Sequence, residues 1–267
     1  EMTVDELLRA TAIGSANDAA TLLGEYVAGS EQGFIDMMNS RAKELGMNNT
    51  NFENATGLDD TTDTHLTTAR DIGIMSLELL KHDFITDYTT VWMDSLRNGE
   101  TELVNTNKLV RFYSGTTGLK TGTTAKAGCC ISASAKRDGL HLVAVVMGSA
   151  TSDERFNSAK AMLNWGFSNY VCFKPKIDTT SIEKIPVQKG KLLFVETEIP
   201  KVTSIALKKG EETGVVVKIE VDENLTAPIE KGQTLGVISI ETSSEKKYEY
   251  KITAKKEVEK LTFFDCI

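Results

Sequence analysis

Histidine and cysteine are scarce in this 267-residue chain, with three of the first and four of the second. His65, His82, His141, Cys129, Cys130, Cys172 and Cys266 form no Cys-x-x-Cys pair and no cluster at the short spacings of a zinc site. No metal or other cofactor is therefore expected. Cys129 and Cys130 are adjacent, and a disulfide between neighbours is strained, so free and mostly buried thiols are expected. Positive charge is in the minority: 30 Lys and Arg against 38 Asp and Glu leave a net charge of −8. That balance argues against a nucleic-acid partner, which calls for a basic face. No apolar run approaches the ~20 residues of a membrane span, and no stretch reads as a signal peptide.

What is present supports a packed protein. Hydrophobic residues make up 40% and charged residues 25% of the chain, a composition that builds a core rather than a disordered coil. The length suits one large domain, or a large one followed by a small one. Helical periodicity runs over 3–28, with Leu7, Leu8, Ala12, Ala19, Leu22 and Leu23 on one face. It is interrupted at Ile13-Gly14-Ser15-Ala16-Asn17, whose small and polar residues favour a break. Further helices are predicted over 32–45, with Phe34, Met37 and Met38 inward and Gly46 as a stop, and over 68–81, with Ile72, Met75, Leu79 and Leu80 inward. Residues 47–68 are polar and read as loop. Strand patterns follow at 118–122, 129–135 and 141–147. The last two are joined by Lys136-Arg137-Asp138-Gly139, a hairpin turn. A helix over 152–169 carries Phe156, Ala159, Met162, Leu163 and Phe167 on one face. From about 174 onward, short alternating runs at 191–195, 214–219 and 234–240 replace the helical pattern, as in a small all-β domain. The expected organisation is α+β: a helix-and-antiparallel-sheet domain over 1–173, then a β-sandwich-like domain over 174–267.

Two short motifs carry chemistry. Ser15-Ala16-Asn17 lies at the helix break, where a hydroxyl can face a cleft. Lys120-Thr121-Gly122-Thr123 opens a strand, with a glycine that lets an extended substrate lie alongside. Each is weak alone, since a helix break or a turn explains either. As a pair, Ser-x-Asn and Lys-Thr-Gly are found in serine β-lactamases and penicillin-binding proteins, which also use a Ser-x-x-Lys nucleophile. The resemblance widens with Glu1-Met2-Thr3-Val4-Asp5-Glu6-Leu7-Leu8, Leu45-Gly46-Met47, Asn54-Ala55-Thr56-Gly57-Leu58, Ala144-Val145-Val146-Met147-Gly148 and, near the end, Leu225-Thr226-Ala227-Pro228-Ile229-Glu230-Lys231-Gly232-Gln233. In this order they resemble the low-molecular-mass D-alanyl-D-alanine carboxypeptidases over nearly the whole chain.

The resemblance implies a β-lactamase/DD-peptidase-like fold and an acyl-enzyme reaction on peptidoglycan stem peptides ending in D-Ala-D-Ala, with β-lactam antibiotics as covalent ligands. It implies catalytic roles for Ser15 (proton relay), Asn17 (hydrogen bonding to substrate amide or catalytic lysine) and Lys120 (positive potential). It implies substrate-binding roles for Thr121 and Thr123 at the terminal carboxylate, for Gly122 at the strand edge, and for Arg155 near the carboxylate pocket. For Arg155, a solvated position in the first turn of a helix is an equal reading. The backbone N–H of Thr123 would be half of an oxyanion hole. The location implied is the cell envelope, outside the cytoplasmic membrane, often with a C-terminal amphipathic anchor that Leu261-Thr262-Phe263-Phe264-Asp265-Cys266-Ile267 would begin.

One expected motif is missing. No serine precedes Ser15, and the four Ser-x-x-Lys matches (Ser40–Lys43, Ser181–Lys184, Ser243–Lys246, Ser244–Lys247) all follow it. Thr3 and Glu6 have capping-box spacing, so the sequence opens almost directly on a helix. The expectation is a chain truncated at its start, without its nucleophile and inactive as it stands. The alternatives are a serine β-lactamase, for which Glu102-Leu103-Val104-Asn105 is an imperfect match, and a non-catalytic cell-wall binding protein.

Overall fold

A computed structural model describes residues 1–262, which form two compact units divided between Ser168 and Asn169. The first unit opens with α1 (Val4–Arg9), capped by the Thr3 hydroxyl and by the Glu6 carboxylate reaching back to the Thr3 N–H at 2.8 Å. A single π-turn, Ala10–Gly14, follows and ends at Ser15 in the left-handed region. Then come α2 (Asn17–Ala28), α3 (Glu31–Glu44), α4 (Ala69–Leu79) and α5 (Thr86–Thr89). Strands β1 (Met93–Leu96) and β2 (Thr101–Val104) make a hairpin. Leu96 and Leu103 of that hairpin bury against Leu7, Ala10, Ile13 and Ala19.

The short α6 (Leu109–Phe112) leads to a three-stranded antiparallel sheet of β3 (Thr116–Thr124), β4 (Gly128–Arg137) and β5 (Leu140–Ser149), in that spatial order. The β4–β5 turn has positive φ at both Asp138 and Gly139, the geometry that the Asp-Gly pair favours. The sheet is buried on both faces, and the alternation within β4 shows how. Ile131, Ala133 and Ala135 pack with Phe156, Ala159 and Leu163 of α7 (Ser152–Asn169). Ser132 points the other way and bonds the Ser76 hydroxyl of α4 at 2.6 Å.

The apolar face predicted for 68–81 is therefore not the buried one. Met75 and Leu79 are exposed, while Asp71 and Ser76 are buried. Leu22 and Met37 are exposed as well, although their spacing put them inward. Cys129, Cys130 and Cys172 are free, as expected, but only half-buried; Cys266 lies outside the described residues.

The second unit is all-β. β6 (Tyr170–Phe173) pairs with β9 (Ile205–Lys208), so residues 170–173 belong structurally with the chain that follows them. β7 (Lys184–Pro186), β8 (Phe194–Glu198), β10 (Val216–Val221), β11 (Thr234–Glu241) and β12 (Lys247–Ala254) form a five-stranded sheet ordered β10-β11-β12-β8-β7. Its interior is aliphatic: Ile185, Val195, Leu235, Ile238, Ile240 and Ile252 are buried. Among the described residues no helix is long and apolar enough to cross a membrane. The expected anchor start at 261–267 falls mostly outside them.

Candidate active site

The two motifs meet. Lys120 Nζ donates to Ser15 Oγ at 2.7 Å and to its neighbour's carbonyl, Thr121 O, at 2.9 Å. Ser15 reaches this position because the π-turn ends there. Its φ of 60° turns the chain so that α2 starts afresh at Asn17. Lys120 sits in the middle of β3, an edge strand bonded only to β4 within its sheet. Burial depresses the Lys120 ammonium, and the nearby Arg155 charge adds to the effect, bringing its pKa down to about 8. A lysine so poised exchanges its proton near neutral pH, and its hydrogen-bonded partner is a serine hydroxyl.

Strand alternation divides the remaining site residues. Lys120 lies opposite Ser132 in the register, on the face toward α4. Thr121 and Thr123 lie on the other face, toward α7. The buried Thr121 hydroxyl donates to Thr106 Oγ1 at 2.7 Å, and Thr123 Oγ1 accepts from Arg155 Nη1 at 3.0 Å. Arg155 is buried rather than solvated, and the same nitrogen donates to Gly122 O at 2.9 Å and Cys130 O at 3.1 Å. It thus spans the Gly122–Cys130 pair of the β3–β4 ladder and puts a positive charge beside Thr123. A Cβ at Gly122 would meet nothing within 4 Å, so the strand lies open there. Asn17 is exposed at the start of α2, and its side chain has no hydrogen-bond partner among the described residues.

Two features were not anticipated from sequence. Thr106 joins the motifs: its N–H donates to Ile13 O at 3.3 Å, in the π-turn, while its hydroxyl accepts from Thr121. Its neighbours Asn105 and Asn107 are buried, and the Asn105 amide donates to Val91 O at 2.8 Å. At the far end of β3, Thr124 donates to the buried Asp59 carboxylate at 2.7 Å, and just beyond it Lys126 pairs with Asp63 at 2.7 Å. Together these fasten the 53–64 loop to the β3–β4 hairpin. Ser40, the first Ser-x-x-Lys serine, is in α3, and Ser181 is in a turn ahead of β7. Ser243 and Ser244 lie between β11 and β12 of the second unit, and Ser40 is not a hydrogen-bond partner of Ser15 or Lys120. Among the described residues no group of three or more His, Cys, Asp and Glu is placed to hold a metal ion.

A hydrogen-bonded Ser–Lys pair at the edge of an antiparallel sheet flanked by helices is an arrangement that serine acyl-transfer enzymes of the penicillin-recognising kind share. The comparisons specify the family. The profile of the D-alanyl-D-alanine carboxypeptidases matches residues 1–151, and that of the penicillin-binding protein 5 C-terminal domain matches 173–260. The chain belongs to the D-alanyl-D-alanine carboxypeptidase family. It is 41% identical to the D-alanyl-D-alanine carboxypeptidase DacF of Bacillus subtilis, over 98% of this chain and 68% of that protein. Penicillin-binding protein 5 of Haemophilus influenzae superposes with a TM-score of 0.77 at 28% identity, covering 97% of this chain and 75% of the other. Penicillin-binding protein D2 of Listeria monocytogenes, in its cefotaxime-bound form, gives 0.58 at 33% identity, covering 62% of this chain and 67% of the other. The chain thus spans about two thirds of the length of its relatives.

Proposed function

We propose that these residues are the proton-relay and substrate-edge part of a serine-type D-Ala-D-Ala carboxypeptidase that removes the terminal D-alanine from peptidoglycan stem peptides outside the cytoplasmic membrane. The observation that carries this reading is the 2.7 Å bond from Lys120 Nζ to Ser15 Oγ beside the open strand at Gly122. In the reaction a serine attacks the penultimate carbonyl, the peptide C–N bond breaks, and the leaving nitrogen takes a proton. Ser15, re-supplied by Lys120 at a pKa of about 8, hands over that proton. Water then attacks the acyl-enzyme and frees the shortened peptide. The substrate extends β3 at its free edge, with Asn17 at its flank. The Thr123 hydroxyl and the Arg155 charge favour the terminal carboxylate, with the buried Thr121 hydroxyl holding the strand through Thr106, and the Thr123 N–H polarises the carbonyl. A β-lactam imitates the same peptide end and is taken up covalently in this reading; that the Listeria relative has a cefotaxime-bound form supports the binding.

The attacking serine is the part of this reading that these residues do not supply. No Ser-x-x-Lys precedes Ser15, and Ser40, the one such serine in the first unit, is not a hydrogen-bond partner of Ser15 or Lys120, so we place the nucleophile outside the 267 residues and expect the chain alone not to hydrolyse the peptide. Attachment to the membrane through a C-terminal anchor belongs to the same reading. Intact-mass measurement after incubation with benzylpenicillin tests it, on this chain and on one extended upstream. A single adduct on the extended chain alone is the expected result. An adduct on the present chain overturns the assignment of the nucleophile, and no adduct on either leaves a binding protein built on this fold.

A further inference from the structure

The second unit carries an apolar tip that its core does not explain. The connection between β7 and β8 is closed by the Val187 N–H bonding to Leu193 O at 2.9 Å. Three consecutive apolar residues at its end face outward: Leu192 is 56%, Leu193 76% and Phe194 49% exposed. Residues 259–261 run alongside, through the Lys191 N–H to Glu259 O and the Leu261 N–H to Lys189 O, both at 2.8 Å, and bring the 39% exposed Leu261 to the same end. The tip is tightly built. A Cβ at Gly190 would stand 2.9 Å from both the Leu192 carbonyl and Val258. Three lysines ring it. Lys191 pairs with Glu259 at 2.7 Å, whereas Lys189 and Lys260 are exposed and have no ion-pair partner among the described residues.

From this placement we infer that the β7–β8 tip docks on an anionic lipid surface, with Leu192, Leu193 and Phe194 entering the headgroup region and Lys189 and Lys260 meeting lipid phosphates. Contiguous exposed apolar side chains mark an interaction site. The identity of the partner follows from shape and charge. A hairpin end with a few apolar side chains is far smaller than the ~800 Å² per partner of a stable protein interface. A lipid surface needs no matching contour and accepts short apolar insertions ringed by lysines, whose stems stay with the apolar layer while their ammonium groups reach phosphate.

Flotation of this chain with phosphatidylcholine vesicles, with and without phosphatidylglycerol, tests the assignment without any acylation chemistry, so its outcome is independent of the catalytic reading. The chain is expected to float with the phosphatidylglycerol vesicles and far less with phosphatidylcholine alone. The triple variant Leu192→Ser, Leu193→Ser, Phe194→Ser should lose roughly tenfold in partition. Lys189→Glu with Lys260→Glu should lose the phosphatidylglycerol preference at an unchanged melting temperature, which keeps the test valid should the triple variant fold poorly. No flotation of the chain, or equal flotation of the triple variant, overturns the assignment. Tip-dependent dimers without lipid, seen by analytical ultracentrifugation, overturn it in favour of a second copy of the chain.

Discussion

In the first unit Asp71, Ser76, Asn105, Asn107, Ser132, Ser134 and Arg155 are buried, whereas the polar residues buried in the second are Ser239 and Thr242, beside a core of isoleucine, valine and leucine. Buried polar groups cost stability unless each finds a partner. The first unit meets that demand group by group. Asp71 accepts from the Asn49 N–H at 3.0 Å and the Thr50 hydroxyl at 2.8 Å, and Ser76 meets Ser132. The match is incomplete: Asn107 Nδ2, Arg155 Nε and Asp59 Oδ1 have no partner among the described residues. The second unit has no orphan of this kind among them. Polar interiors of this sort fix geometry at the expense of stability, and in the first unit they surround β3. The difference is one of construction: partnered polar groups inside the first unit, aliphatic packing inside the second.

The comparison can be broken by substitution. In the second unit Ile252→Ala, at a position with no exposure, should cost about 2–5 kcal/mol in denaturant unfolding. A loss near zero would show that this core is not what holds the unit. In the first unit Arg155→Met removes charged hydrogen bonds to Gly122 O, Thr123 Oγ1 and Cys130 O and should cost about 1.5–3 kcal/mol. It should also raise the Lys120 pKa, because the Arg155 charge lowers it. A carbon-detected titration of Lys120 that stayed unmoved would remove Arg155 from the site's electrostatics. Thr106→Val leaves the buried Thr121 hydroxyl without its acceptor and should cost about 1–2 kcal/mol by the same unfolding measurement. An effect no larger than at an exposed threonine would mean that Thr106 does not join the two motifs.

Three strands of the second unit, β8, β10 and β11, and the longer helices of the first could be read from periodicity, because aliphatic alternation and caps are local, whereas the short β6, β7 and β9 were not. Gly46 and Thr68 end and begin helices as their residue types require. β12 was not read, because Lys247-Tyr248-Glu249-Tyr250-Lys251 alternates charge with tyrosine rather than with aliphatic residues. The buried side of α4 was misread for a physical reason. Its interior contacts are hydrogen bonds from Asp71 and Ser76, which periodicity counts as solvent-facing. Ser15 and Lys120 are 105 positions apart and became a site only through the resemblance of their motifs. Thr106 was invisible, since its role is to touch the π-turn and β3 at once, a relation that exists only after the chain has folded.

The sharpest test of the comparison is Lys120, whose burial should leave a mark on stability against pH. In the folded chain its pKa is about 8, below its ordinary 10.5. At pH 7 both folded and unfolded chains carry the proton, and holding that charge in a desolvated position destabilises the fold. Between about pH 8 and 10.5 the unfolded chain keeps a proton that the folded chain has released, so the lysine's contribution to stability rises with pH across that window. Lys120→Met removes the buried charge and should therefore be more stable than the parent at pH 7, with the advantage shrinking as pH rises toward 10.5. Every other titrating group is common to both chains, so the difference between their unfolding curves isolates this one. A difference that stays constant from pH 7 to 10 would mean that Lys120 is not desolvated. The proton relay to Ser15 would then lose the lowered pKa on which it depends.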